Sequence, residues 1–291
     1  MSGKNKSFLK FAPTLVFAIA AAAIILFVNN SVSGLLTLIV VLIAAVYVVF
    51  SAVGESSRYN PPDSLAGVFS AGSNKAAKIA LISVGLALTL ITLYSGILII
   101  LDLRTTQISG TKSIPDFIRA GLALLAAISF VIILAQSNFS DSESGEPPLS
   151  TFRACSFILT IYSCFNLILI YRRNATNPNI AEFAWQILAM AAFSVMWMYL
   201  MGITAGAQYR SIKAIRFFAR MTVVLSMIAG AVVFRNEMAV YTKMSLLCEF
   251  AFCFLSASIT DILMSTNAGS FGTKKRLFLP DDDEIYDGTK L

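Results

Sequence analysis

The chain has 291 residues, 57% of them apolar and only 13% charged, with a mean hydropathy of +0.77. A soluble domain of this length needs a charged coat that the sequence lacks, so the composition excludes an ordinary water-borne fold and points to a lipid-facing surface. The net charge of +6 is scattered between apolar runs instead of forming a basic stripe, which excludes nucleic acid as a partner, and the absence of histidine removes the usual general base, metal ligand and pH sensor.

Crossing a hydrocarbon layer of roughly 30 Å takes about 20 apolar residues. Windows of that length recur at residues 11–28, 35–53, 79–101, 118–135, 152–171, 183–207, 217–234 and 244–264. With no water to satisfy the backbone in the lipid, each must be helical. The expected fold is therefore an all-α membrane protein, a polytopic bundle of about eight transmembrane helices. The first run follows Lys4, Lys6 and Lys10 but is too long for a signal peptide and continues past its alanines to Phe27, so it reads as an uncleaved span.

Residues 1–264 form the bundle in this reading, with halves 1–135 and 152–264 joined by an acidic, Ser-rich hinge at 140–148. Residues 265–291 form a disordered cytoplasmic tail, in which Lys274, Lys275 and Arg276 lie near anionic headgroups and the acidic run 281–284 is solvated. Basic residues are retained on the cytoplasmic side. Placing both termini in the cytoplasm puts fifteen Lys and Arg inside and seven outside, with Arg119 counted in an outer loop. The plasma membrane is the expected location.

The long connector at 54–78 contains the turn Asn60-Pro61-Pro62-Asp63, followed by 64–71, read as a short surface helix. Asn-x-Ser/Thr occurs at Asn29, Asn138 and Asn174, about as often as chance gives. Thr92-x-Tyr94-Ser95 recurs as Thr160-x-Tyr162-Ser163, and Asp116-Phe117 as Glu182-Phe183, which suggests that spans three and four repeat as spans five and six. The four cysteines all fall in apolar runs and read as packing residues, neither disulfides nor metal ligands.

A carboxylate inside the hydrocarbon is a candidate site because exposing it to lipid costs a few kcal/mol. Glu249 leads, since Ser245, Glu249, Cys253, Ser256 and Thr260 follow at steps of three or four and share one helix face. Asp261, nearer the inner end of the same span, is at the depth of Arg220 and is expected to pair with it close to water. Tyr162 and Asn166, one turn apart near the bilayer centre, need polar partners and could line a ligand pocket or hold helices together. If Glu249 is a neutral structural group, Glu249→Gln is tolerated by the fold to within about 1 kcal/mol. Trp185, Trp197 and the nearby methionines read as packing and interface residues, and Gly202-x-x-x-Gly206 as a site of close helix approach.

No Walker loop, nucleophile elbow or zinc pattern is present, and the sequence names no catalytic residue, metal ligand or cofactor. Three functions compete. The first is a transporter-like bundle handling an ion or small molecule through Glu249, Asp261, Tyr162 and Asn166. The second is a non-catalytic membrane module that docks unknown partner proteins. A membrane enzyme acting on lipid-linked substrates ranks last, because only Asp261, Arg216 and Arg220 cluster at one interface.

Overall fold

The structure, a computed structural model, describes residues 3–28, 30–56, 65–71, 75–106, 114–139, 149–174, 180–205 and 212–267. Among them the chain forms α1 (Gly3–Phe27), α2 (Asn30–Ser56), α3 (Leu65–Phe69), α4 (Lys75–Thr106), α5 (Ile114–Phe139), α6 (Leu149–Asn174), α7 (Ile180–Thr204), α8 (Ile212–Arg235) and α9 (Val240–Asn267). Seven of these, α2 and α4 to α9, are long and apolar enough to cross a membrane, and α1 contributes a shorter apolar stretch, Phe11–Phe27. The protein is thus a polytopic all-α membrane bundle. The helices outrun the apolar windows: α5 starts at Ile114 and α8 at Ile212, several residues before residues 118 and 217. Pro115 fits the first turn of α5, where no backbone donor is needed, and in α8 the helix continues through Lys213 and Arg216.

Packing gives the bundle its plan. α4 packs on α5, and each helix on the next through α9, which returns to α4, so six helices close into a ring. α1 packs on α8, α2 and, less extensively, α9, while α2 also touches α8. Consequently α8 is the most enclosed span, with 67% of its apolar window buried, whereas α2 is the most peripheral at 28%. Leu35, Leu42, Val46 and Phe50 on α2 face outward, as lipid-facing side chains do. Close approach inside the ring is set at Gly85 of α4, where a Cβ would come 3.0 Å from the Leu134 side chain of α5. Gly206 of the expected Gly-x-x-x-Gly lies outside the described residues.

The connector between α2 and α4 departs from its expected position. Its short helix α3 touches α5, α7 and α9, alternate members of the ring, which places it on the ring axis instead of the surface. Val68 and Phe69 are fully buried there. We call this the α3 end of the ring; α5, α7 and α9 finish at it, and α4, α6 and α8 begin at it. The turn at 60–63, the acidic segment 140–148, Lys112, Arg210 and the charged tail lie outside the described residues.

Candidate functional site

The expected stripe on α9 faces inward: Ser245, Glu249, Cys253, Ser256 and Thr260 are all buried. Glu249 is fully enclosed and forms an ion pair with Arg119 of α5, itself 2% exposed. Arg119 therefore does not sit in an outer loop. It occupies the second turn of α5 and reaches across the ring interior to α9, which packs on α4 and not on α5. Its position inside an apolar run was the available signal, since an arginine there must find an internal partner. Beside this pair, Ser95 of α4 bonds the Ser245 carbonyl and hydroxyl of α9, each at 3.3 Å.

Tyr162 and Asn166 of α6 are fully buried in the same half of the ring. The phenol is close enough to Glu249, Arg119 and Cys253 to interact with them electrostatically. Among the described residues, Oε1 of Glu249 and the Gln186 amide nitrogen of α7 have no hydrogen-bond partner, while the Tyr162 hydroxyl and the Asn166 amide lie within reach of each other. A buried polar atom left unpartnered costs about 1–3 kcal/mol, so such groups weaken the interior where they stand. Gln186 carries no motif, and sequence reading passes over it.

Toward the α3 end the interior becomes aromatic. Phe252 of α9 sits on the axis, its ring 5.8 Å from Tyr162, 6.1 Å from Phe193 of α7 and 6.3 Å from Phe130 of α5, all edge-on. Phe130 and Phe193 in turn meet Trp197, which stacks on Phe69 of α3 at 6.4 Å. Trp197 is fully buried, so it is a core residue and not an interface anchor. Aromatic rings therefore fill the axis from Tyr162 down to α3, which stoppers the far end.

Two asparagines fasten that stopper. Asn138, at the end of α5, accepts from the Ala71 amide at 2.6 Å and donates to the Phe69 and Leu134 carbonyls at 3.0 and 2.8 Å. Asn267, at the end of α9, shares its amide protons among the carbonyls of Gly67, Val68 and Ser70 at 2.7 to 3.1 Å. Asn138 is thus a buried structural amide, although it stands in an Asn-x-Ser triplet. Asn29 lies outside the described residues, as does the side chain of Asn174.

Asp261 forms the second charged centre, near the α3 end. Arg220 Nε donates to its Oδ2 at 3.0 Å, as the expected pair requires, and Arg216 Nε donates to Oδ1 at 3.1 Å. Arg220 also bonds the Ser51 hydroxyl of α2, tying that peripheral helix to the ring. All three charged residues are at most 2% exposed, so the pair is buried and not at the water interface. Tyr162 and Asn166 gather with Glu249, whereas Asp261 and Arg220 belong to this separate clamp.

The repeated Thr-x-Tyr-Ser does not carry a repeated environment. Thr92, Ser95, Thr160 and Ser163 are all buried, but Tyr94 is 48% exposed where Tyr162 is fully enclosed. The four cysteines are free, and Cys253 contacts the Met190 sulfur of α7 at 3.6 Å. No protein-family model matches the chain, and no curated protein or solved structure matches it.

Proposed function

We propose that the protein is a transporter-like bundle that binds a small polar molecule or ion in the chamber formed by Glu249, Arg119, Tyr162, Asn166 and Gln186. One observation carries this reading: a fully buried carboxylate, paired through one oxygen, leaves the other without a partner among the described residues and close to the buried Tyr162 phenol. A docking module gains nothing from polar groups that weaken its core, whereas a ligand supplies the bonds they lack. Glu249 and Arg119 bind charge, Tyr162 and Asn166 orient the ligand, and α3 with the aromatic column closes one exit. Both termini are assigned to the cytoplasm and the protein to the plasma membrane. Withdrawing Arg119, Arg216 and Arg220 from the loops still leaves more basic residues on the cytoplasmic side.

Cys253 lies one turn from Glu249 and close to Tyr162, which makes it a native reporter of the chamber. In a Cys155→Ser/Cys164→Ser/Cys248→Ser background, aminoethyl methanethiosulfonate is expected to modify Cys253 in folded protein in membranes. Modification only after denaturation would favour a sealed, tightly packed module.

A further inference from the structure

Resting on the chamber reading above, we infer that α3 is a movable gate, a plug that leaves the ring axis while the six helices around it stay packed, and so controls access to the interior from that end. It follows α2 and precedes α4 in the chain, yet it packs mainly on α5 and α9 and less extensively on α7. The ring closes through direct contacts of each helix with the next, from α4 to α9 and back to α4, and α3 is not a link in that circuit. Withdrawing α3 therefore breaks no contact between ring helices. With the C-terminus assigned to the cytoplasm, the end at which α9 finishes is the cytoplasmic one, and the gate stands there.

The hold on α3 is small and replaceable. It is a helix of 5 residues, too short to be stable through its own backbone bonds. Its described buried side chains are Val68 and Phe69, and Phe69 rests on Trp197 at 6.4 Å and edge-on against Phe130 at 6.0 Å. Asn138 and Asn267 add bonds to the backbone of residues 67–71. Amide bonds of this kind exchange for bonds to water at little net cost, whereas the ring helices hold one another along their lengths. Elements held so lightly open before the fold as a whole does, and moving parts are drawn from them. The same two helices also meet at the ion pair: α5 carries Arg119 and Asn138, and α9 carries Glu249 and Asn267. A shift of α5 against α9 is thus felt both at Glu249 and at α3.

The test uses the full chain in lipid nanodiscs. In the Cys155→Ser/Cys164→Ser/Cys248→Ser background, adding Asn138→Ala/Asn267→Ala is expected to speed modification of Cys253 by aminoethyl methanethiosulfonate at least about tenfold. Val224→Cys, placed in the same two backgrounds with Cys253→Ser, reports a buried position of α8 and should stay unreactive in both. A wild-type measurement covers the case in which the asparagine variant does not fold: the amides of residues 68–71 are expected to exchange at least about tenfold faster than those of residues 223–229 in α8. Equal protection of the two stretches overturns the gate. So does equal acceleration at Val224→Cys and at Cys253, because α3 then leaves only as the ring unfolds. A Cys253 that is readily modified, at a rate the asparagine substitutions do not change, overturns the gate while leaving the chamber standing. If Cys253 resists modification with and without the two asparagines, both readings fall.

Discussion

Two buried carboxylates stand on α9, twelve residues or about 18 Å apart, and they are partnered in opposite ways. Asp261 has an arginine Nε on each oxygen, and one of those arginines also holds α2. Glu249 has one arginine on one oxygen, and its other oxygen has no hydrogen-bond partner among the described residues. Groups that exist to hold helices together are saturated by their neighbours, as at Asp261. Groups left short of partners in a low-dielectric interior weaken the fold, and natural proteins accept that weakness at sites of function.

The largest effect is expected at the saturated end. Asp261→Asn leaves Arg216 and Arg220 without their shared anion, and loss of one partner from a buried ion cluster costs about 3–5 kcal/mol. Thermal unfolding in detergent and the yield of assembled protein should both fall sharply. A wild-type midpoint for this variant would mean that the arginines are neutralised elsewhere. An intermediate effect is expected at the stopper: Asn138→Ala removes three bonds around α3 and should destabilise by about 1–3 kcal/mol. Hydrogen exchange at the Ala71 amide should rise at the same time. Unchanged exchange there would show that Asn267 and the burial of Phe69 suffice to hold α3.

The chamber should respond least. Tyr162→Phe removes a hydroxyl whose neighbouring polar group is the Asn166 amide, so stability should change by no more than about 1 kcal/mol. Glu249→Gln is less informative than the sequence suggests. That single change removes one charge of a buried ion pair, and it is expected to destabilise by more than the 1 kcal/mol that a neutral carboxyl would allow.

Much of the fold was legible because span length and backbone chemistry leave few choices: every apolar window became a helix. Glu249 and Asp261 were legible for a related reason, since a carboxylate in lipid must find company, and Arg220 was found by matching depths along a hairpin. Arg119 was misread because charge near a span end resembles a topology signal, and only tertiary packing shows that its helix starts earlier and that it crosses the ring. The inward turn of α3 was hidden for a similar reason. Leu65 to Phe69 reads as any short amphipathic segment, and the amides that hold it, Asn138 and Asn267, are about 70 and 200 residues away in sequence.

The most direct measurement is the thermal stability, without added solutes, of Tyr162→Phe/Asn166→Leu, a near-isosteric change that removes the hydroxyl and its neighbouring amide together. If the chamber is built for a ligand, this variant unfolds at or above the wild-type midpoint and loses ligand-induced stabilisation. A fall of more than about 1 kcal/mol, comparable to the loss of real interhelical bonds, would contradict that, because it would make Tyr162 and Asn166 part of what holds the helices together.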